Sequence, residues 1–476
     1  MNLKKAAYIC YAAITCAALA LPALAAPFSK PADDSAQSGS LSLKTDSGRF
    51  NLNLGADAEA RFTEHLGLGD RLRAGYDTLC VDLFKTSPVP EVIVGHNGWL
   101  YSADTVSDAT GVRTLSDDEI RHIVHVLELM RNGCTAKGAR MVFAVAPDKS
   151  TVYPQYLPKR CVRTGRENDL DALMQAFTHA NITTADLRRT LLAAAEEAQT
   201  PLYYKQDTHW NADGAVAAFS AMLRPTGQND QGIAQSRLTV SGTHAGDLLA
   251  KLLLNRQETE EMPFYGIPSN HTETENSFGE GVLTTVQPHT TRKLLLFGDS
   301  FAEPLVPMFA ECFSEGTFVL SQPYPMTLLG QTGADTLILE IAENHLADLL
   351  TCAPQMEAPT ADRYGTLHEV SGLSPVTVQT RTVGDLVHIY GEYDARYADS
   401  SAVLITVRGG GQEETYEAFP CFETALLGRD THAANGYSIY LPAKAVPEGA
   451  ELEFAVLRDR DCYVIGNAEF GMRNAE

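Results

Sequence analysis

The sequence predicts an α/β domain built on a parallel sheet, followed by a C-terminal all-β sandwich. Strand and helix signals alternate from about residue 45 to residue 353, which is typical of a parallel sheet covered by helices. From about residue 365 to residue 476 only short β-type runs occur between Gly- and Asn-containing turns, which indicates an antiparallel sandwich. The length of 476 residues exceeds one ordinary core and fits two domains preceded by a leader.

The N-terminus has the pattern of an export signal. Lys4 and Lys5 form a charged start, residues 6–21 are almost wholly apolar, and residues 23–25 are a small-x-small cleavage site. We therefore expect residues 1–26 to be a signal peptide or an uncleaved signal anchor that attaches the protein to a membrane. Either interpretation places the body of the protein outside the cytoplasm, in the periplasm, at the cell surface or secreted.

A linker rich in Ser, Asp and Gly is predicted at residues 27–44, ahead of the helices and strands of the α/β domain. Ser116-Asp117-Asp118-Glu119 is a capping box that opens a helix ending near Gly133. A second helix is predicted at 186–197. Short apolar runs predict buried strands at 141–146, 294–297, 317–320 and 336–341.

Residues 227–287 are less regular and are predicted to form an insertion near the functional site. Residues 246–249 are the clearest element within it. The acidic cluster of Glu258, Glu260 and Glu261 is interpreted as a solvated face.

The C-terminal sandwich is predicted from five β-type runs, at 376–380, 386–390, 402–407, 438–441 and 452–457. Pro354 and Pro359 mark a linker in front of it. The sandwich fits a carbohydrate-binding module and fits equally a structural or partner-docking element, so both interpretations stay open.

The composition excludes several classes of partner. A net charge of −23 argues against nucleic acid and against anionic lipid head groups, and it disfavours a polyanionic polymer as ligand. No CxxC motif and no Cys/His spacing typical of zinc occurs, so we expect no structural metal and no cofactor. Seven cysteines follow the leader, and bridges from Cys462 to either Cys421 or Cys352 are considered.

Two motifs about ninety residues apart supply an acid, a base and a nucleophile. Ser300, in Gly298-Asp299-Ser300-Phe301, follows a predicted buried strand, where α/β sheets place ligands. His209 can take the proton of the Ser300 hydroxyl, and Asp207 can orient the imidazole. The chemistry indicated is acyl transfer through an acyl-serine. Each motif alone has a simpler interpretation, a helix-opening turn for the first and a solvated loop or half a metal site for the second.

Four stretches together resemble the SGNH-hydrolase-like polysaccharide O-acetyltransferases of the AlgJ/AlgX and DHHW type. They are 92–101, 144–154, Asp207-Thr208-His209-Trp210 and the stretch around Ser300, in the order that the family shows. Thr208 stands where many members have a second histidine. The resemblance implies an SGNH-like three-layer domain at residues 45–353, an acetyl-Ser300 intermediate and a polysaccharide acceptor. It also implies an acetyl donor supplied by a membrane-bound O-acyltransferase partner.

Five further residues are candidates for the substrate pocket. Trp210 either walls the pocket or supports His209, and Asp299 more simply organises the turn before Ser300. Lys149 and Tyr153 follow a strand end, where they contact substrate or only satisfy a loop. Gln331 is considered as a second oxyanion donor beside the Ser300 N–H.

Three functions are consistent with these residues. The chain is an exported O-acetyltransferase, an acetyl esterase with the same triad, or a non-catalytic polysaccharide-binding scaffold. The acidic balance favours a neutral glycan acceptor. A local basic cleft is the opposing hypothesis, built from Lys149, Lys159, Arg160 and Arg163.

Overall fold

The computed structural model describes residues 69–106, 110, 114–161, 167–252, 254, 258–275, 278–427 and 434–471, together with Cys16. The predicted leader at 1–26, the linker at 27–44 and the expected domain start at residue 45 lie outside these residues. In the part of the chain that is described, no helix has the length and apolar character needed to cross a bilayer.

The α/β region contains eleven strands. In chain order they are β1 (Val92–Val94), β2 (Leu100–Ser102), β3 (Arg140–Ala146), β4 (Thr184–Ala185), β5 (Arg237–His244), β6 (Glu260–Tyr265), β7 (Thr272–Thr274), β8 (Val282–Val286), β9 (Lys293–Phe297), β10 (Glu315–Val319) and β11 (Thr336–Ala342). Seven form one sheet in the order β4-β3-β11-β9-β10-β8-β7, in which β4, β3, β11, β9 and β10 are parallel and β8 and β7 form an antiparallel edge. The remaining strands pair as two ribbons, β1 with β2 and β5 with β6.

Helices cover both faces of this sheet. They are α1 (Gly69–Leu79), α2 (Asp117–Ala136), α3 (Lys149–Val152), α4 (Asp169–His179), α5 (Leu187–Glu197), α6 (Ala212–Leu223), α7 (Asp247–Ala250), α8 (Val306–Ala310) and α9 (Leu328–Thr332). Strand side chains alternate between two cores, because successive residues point to opposite faces. Leu294 and Leu296 pack with α5, α6 and α8, whereas Leu295 and Phe297 pack with α2, α4 and α9. The predicted three-layer α/β fold is confirmed.

The predicted helix after Ser116 begins where the capping box placed it. The Ser116 side chain accepts the N–H of Glu119, and the Glu119 carboxylate accepts the N–H of Ser116 at 2.6 Å. The helix continues to Ala136 rather than ending near Gly133, since one glycine inside a helix costs only about 1 kcal/mol.

The C-terminal region consists of eight strands and one short helix. They are β12 (Leu367–Glu369), β13 (Gln379–Val383), β14 (Leu386–Glu392), β15 (Ala402–Gly409), β16 (Gln412–Ala418), α10 (Thr424–Leu427), β17 (Gly436–Pro442), β18 (Glu451–Arg458) and β19 (Asp461–Glu469). A five-stranded sheet, β12-β19-β18-β15-β16, faces a three-stranded sheet, β13-β14-β17. Ile389, Ile405, Ile439 and Phe454 lie in the core between them. The predicted sandwich is thus present, with β12, β16 and β19 in addition to the five strands expected.

The segment predicted as a linker in front of the sandwich is paired with it. Glu357 bridges to Tyr440 of β17, and Thr360 bridges to Tyr416 of β16. The sandwich also contacts the α/β domain, because the Phe422 N–H donates to Leu350 O at 2.7 Å. The two domains are therefore joined by backbone hydrogen bonds rather than by a free tether.

Neither disulfide considered from the sequence is formed. All eight described cysteines are unpaired, and Cys10 lies outside the described residues. The Cys421 thiol donates to Leu349 O at the contact between the domains, whereas Cys462 packs beside Leu457 within the sandwich.

Candidate active site

Ser300 is exposed on a tight turn at the carboxyl end of β9. The turn begins with Gly298, where a Cβ atom would lie 2.5 Å from Ala302 Cβ and 3.0 Å from Glu340 Oε2. Asp299 fixes the turn from inside, because its carboxylate accepts the N–H groups of Phe301 at 2.9 Å and Ala342 at 2.8 Å. Asp299 therefore organises the turn, as the simpler of its two interpretations had it, and does not line the cleft.

His209 lies between Ser300 and Asp207. Its Nε2 is 2.8 Å from Ser300 Oγ, and its Nδ1 is 2.8 Å from Asp207 Oδ1. The loop that carries His209 is closed by a bridge between Tyr203 and Trp210, and Asn211 then caps α6. The structure thus brings together the three residues that the two motifs singled out.

Asp207 is held by more groups than the sequence indicated. Its Oδ2 accepts a hydrogen bond from His244 Nε2 at 2.7 Å and another from the Asp247 N–H at 3.0 Å. Burial alone would raise the pKa of Asp207, but the hydrogen bonds from His209, His244 and Asp247 outweigh it and hold this pKa well below its usual value. Asp207 is therefore an ionised acceptor for two imidazoles.

The same arrangement affects the pKa of His209. Burial lowers that pKa, but the hydrogen bond and charge of Asp207 outweigh burial, so it lies above its usual 6.5. Because ionised Asp207 accepts from Nδ1, the neutral imidazole leaves Nε2 as the acceptor for the Ser300 hydroxyl.

A clamp from the insertion, residues 244–247, holds the loop that carries Asp207 and His209. Asp247 accepts the N–H of Thr208 at 2.7 Å and its hydroxyl at 2.8 Å. A Cβ atom on Gly246 would lie 2.0 Å from Gln206 O, so only glycine permits this approach. Sequence reasoning placed the insertion near the site but did not identify His244 or Asp247, although residues 246–249 were its clearest element.

Glu260 belongs to the acidic cluster that was interpreted from the sequence as a solvated face, and for this residue the interpretation is wrong. Its carboxylate accepts the N–H groups of Lys205 and Gln206, each at 2.7 Å. The acid therefore fixes the loop just before Asp207.

Lys149 and Tyr153 lie beneath this loop rather than in the cleft. The ammonium of Lys149 donates to the carbonyls of Tyr204, Lys205 and Asp207. Burial lowers the pKa of Lys149 to about 7, against the opposing charges of Glu260 and other acids. The Tyr153 hydroxyl accepts the Leu202 N–H at 2.8 Å. Of the two interpretations from the sequence, contact with substrate and satisfaction of a loop, these contacts fit the second, because the strand end that the two residues follow is covered by residues 204–207.

Gln331 lies outside the cleft. It is exposed on α9, whose Leu328 and Leu329 pack on the opposite face of the sheet from α6. Within residues 298–302 the N–H of Ser300 alone has no acceptor among the described residues. The Ser300 N–H is therefore available to an anion, whereas Gln331 is not a partner for it.

A cleft of about 570 Å³ opens beside Ser300 and His209. Trp210 lines it and is only 2% exposed. Its indole packs edge-on against Phe301, with ring centroids 4.9 Å apart. Trp210 thus walls the cleft and supports the turn at the same time.

Two features bear on metal binding and acid–base chemistry. Asp207, His209 and Asp247 offer ligand-type atoms within 4.8 Å of one another, but their hydrogen bonds with each other and with Thr208 occupy the same atoms.

Glu340 is fully buried behind Ser300, and burial together with the Asp299 charge raises its pKa well above the usual value. Its carboxyl group accepts the Asp299 N–H at 3.2 Å.

Comparison with known proteins identifies relatives of this region. Residues 92–311 match the family model of the SGNH hydrolase-like domain of the acetyltransferase AlgX. The protein named "Probable alginate O-acetylase AlgJ" from Pseudomonas putida is 25% identical over 228 residues, which cover 46% of this chain and 53% of that protein. Its namesake from Pseudomonas aeruginosa is 29% identical over 187 residues, which cover 37% and 44%. The chain thus spans about half the length of the curated relatives that it matches.

Solved structures show similar partial matches. The O-acetyltransferase domain of Pseudomonas putida AlgJ matches 54% of this chain and 93% of its own, with 17% identity and a TM-score of 0.37. Pseudomonas aeruginosa AlgX matches 79% of this chain and 95% of its own, with 15% identity and a TM-score of 0.37. The family model and the AlgJ relatives confirm the resemblance that the four sequence stretches indicated.

Proposed function

We propose, on the premise that residues 92–311 belong to the AlgX-like SGNH family, that the chain is an exported O-acetyltransferase acting on polysaccharide hydroxyls. The observation that carries the proposal is the relay from Ser300 through His209 to Asp207, with both links at 2.8 Å. The names of the curated relatives support the acetyl group and the polysaccharide. Export is supported by the pattern of residues 1–26.

The relay accounts for both half-reactions. His209 Nε2 takes the Ser300 proton as Oγ attacks the acetyl carbonyl, and the departing oxygen of the donor then receives that proton. This leaves acetyl-Ser300. An acceptor hydroxyl next gives its proton to His209 and attacks the acetyl carbon, and Ser300 leaves and recovers the proton. The negative oxygen formed in each step is stabilised by the Ser300 N–H.

The acetyl donor is proposed to come from a membrane-bound O-acyltransferase partner. Acetyl-CoA is cytoplasmic, and an exported enzyme needs its acetyl group delivered across the membrane. The N-terminal segment would keep the protein near such a partner if it stays attached.

Hydrolysis is a second candidate function because Ser300 is exposed at the mouth of the cleft. Water can reach an acetyl-serine at this position, and an esterase would use the same three residues. The two functions differ in whether the acetyl group appears on a sugar or as free acetate. A purely scaffolding function leaves the relay unexplained.

The test is the variant Ser300→Ala, which should lose acetyl transfer and p-nitrophenyl acetate hydrolysis by about three orders of magnitude or more. Mass spectrometry of the wild-type enzyme should find an acetyl group on Ser300. The matched control is Ser314→Ala, since Ser314 is a half-buried serine just before β10, at the amino ends of the parallel strands, whereas Ser300 lies at their carboxyl ends. Retention of more than about a tenth of the activity by Ser300→Ala would exclude Ser300 as the nucleophile.

A further inference from the structure

The walls of the cleft beside Ser300 are mainly apolar. At about 570 Å³ the cleft has room for a sugar as well as an acetyl group. One wall comes from β6 and the residues that follow it, and the other from α6 and α8; their apolar members include Met262, Tyr265, Ile267, Val216 and Met308. Such surfaces suit the C–H faces of an uncharged ring rather than an ionised group.

Two polar groups near these walls, the Tyr265 hydroxyl and the Arg237 guanidinium, are hydrogen-bonded to Asp213. The Tyr265 hydroxyl donates to Asp213 Oδ1 at 2.9 Å, which fixes the ring against the cleft. The Arg237 guanidinium makes two hydrogen bonds to the same carboxylate, at 2.7 and 3.0 Å. The charge of this guanidinium is thus paired with Asp213, and Arg237 is not among the residues that line the cleft.

No lysine or arginine is among the described residues that line the cleft. Its acids are Asp207, which is paired with His209 and His244, and Glu303, which is exposed three residues after Ser300. The basic cleft considered from the sequence is not assembled. Lys149 is buried beneath the loop, and Lys159 and Arg160 are exposed elsewhere; Arg163 lies outside the described residues.

We infer that the acetyl acceptor is an uncharged glycan, and that the cleft itself discriminates against uronate sugars. This inference rests on the proposed function. A uronate carboxylate in this cleft would lose water without gaining a lysine or arginine partner among the described residues, and it would approach Glu303, which carries the same charge. An uncharged sugar has neither the cost of carboxylate desolvation nor the repulsion by Glu303. The preference for it over a uronate therefore arises from exclusion of the uronate as much as from contacts with the apolar walls.

The experiment compares manno-oligosaccharides with mannuronate oligosaccharides of equal length, which differ at C6 alone. p-Nitrophenyl acetate is the donor, and mass spectrometry measures the acetylated sugar. We expect kcat/KM for the neutral series to exceed that for the uronate series by about ten-fold or more at low salt. Release of p-nitrophenolate in the same tubes reports whether the Ser300 chemistry proceeds.

Two variants separate a local from a global effect of charge. Glu303→Lys changes the charge at the cleft, and Glu197→Lys makes the same change at the exposed end of α5. We expect Glu303→Lys to narrow the preference for the neutral series at least several-fold and Glu197→Lys to leave it as in the wild type. Equal narrowing by both variants would show that the overall charge discriminates, and would overturn the role of the cleft.

Other outcomes also decide the inference. A wild-type preference for the uronate series overturns it, as does p-nitrophenolate release with transfer to neither series. Both leave the Ser300 chemistry intact, whereas loss of Ser300-dependent p-nitrophenolate release would be the failure of the proposed function itself.

Discussion

At the scale of single residues, the Asp207 carboxylate accepts hydrogen bonds from two imidazoles. His209 Nδ1 donates to Asp207 Oδ1, and His244 Nε2 donates to Asp207 Oδ2. Asp207 itself is only 4% exposed. The carboxylate charge is therefore shared between the base beside Ser300 and a second ring that also lines the cleft. His244 is a positioning residue in this arrangement, since it acts on the reaction through Asp207. Its ring is held by stacking on Tyr204, with centroids 4.1 Å apart.

The variant His244→Phe should shift the acid limb of kcat/KM to higher pH. Loss of the His244 hydrogen bond leaves more of the Asp207 charge to His209, whose pKa then rises further above 6.5. In the proposed mechanism His209 acts as a base, so more of the enzyme would be protonated and inactive at a given pH, and we expect a shift of about half a pH unit or more. The measurement is the pH profile of p-nitrophenyl acetate hydrolysis.

Two comparisons check the His244 prediction. His244→Gln retains an N–H donor and should keep a profile close to that of the wild type. A folded His244→Phe enzyme whose acid limb does not move would show that His244 has only a packing role.

At the scale of elements, the β5–β6 insertion is the structure that orders the catalytic loop. Residues 244–247 bind Thr208 and Asp207 from one side, while Glu260 binds the N–H groups of Lys205 and Gln206. Lys149 ties the carbonyls of the same loop from beneath. The loop has little regular structure of its own, so its geometry depends on these contacts.

Gly246→Ala should lower activity strongly while the domain stays folded. The added Cβ would lie 2.0 Å from Gln206 O, so the clamp or the loop must move apart. A displacement of about 1 Å at a catalytic group costs on the order of 100-fold in rate. Steady-state hydrolysis measures the loss, and circular dichroism checks the fold.

The matched control lies in the same insertion. A Cβ on Gly266 meets nothing closer than 3.6 Å, so Gly266→Ala should retain near-wild-type rates. If Gly246→Ala is also as active as the wild type, the clamp does not determine the position of His209.

At the scale of the whole molecule, the sandwich is fixed to the helical face of the α/β domain. His125 of α2 contacts Glu417 of β16 at 2.9 Å, and the Ala353 N–H donates to Glu423 at 3.1 Å. Phe419 and Tyr440 share a core with Leu349 and Leu350. Such a contact makes the stability of the two domains interdependent.

The ion pair between His125 and Glu417 should make thermal stability depend on pH. Burial opposes the charge on His125, but the acceptor carboxylates of Glu128 and Glu417 outweigh it and raise the pKa of His125 to about 9. Since the folded pKa is raised above 6.5, this stabilisation is fully present below pH 6.5. It is lost as the pH rises through about 9.

Thermal unfolding between pH 6 and pH 9.5 measures the pH-dependent contribution of the His125–Glu417 pair to the free energy of unfolding. We expect this contribution to be on the order of 1–3 kcal/mol. His125→Gln should remove it, whereas the exposed His179→Gln should not. If His125→Gln loses as much stability on raising the pH as the wild type does, the pair does not link the domains in this way.

The sequence by itself determined the α/β fold, the sandwich and the residues of the relay. Buried parallel strands such as β9 are continuous apolar runs, and a capping box or a strand followed by Gly-Asp-Ser is a local signal. Such features depend on neighbours along the chain, and they could therefore be predicted from it. β16 was not predicted, because it contains three glutamates and a single buried residue and so carries little apolar alternation.

Only the tertiary structure decided what surrounds Ser300 and His209. His244 reaches Asp207 from an insertion 37 residues away along the chain. Lys149, for which contact with substrate was one of two interpretations, lies beneath the loop, 58 residues from its Asp207 acceptor. Gln331, expected beside Ser300, lies on the other face of the sheet. Hydrogen bonds and clefts of this kind depend on which elements meet in space, and no residue spacing along the chain encodes that meeting.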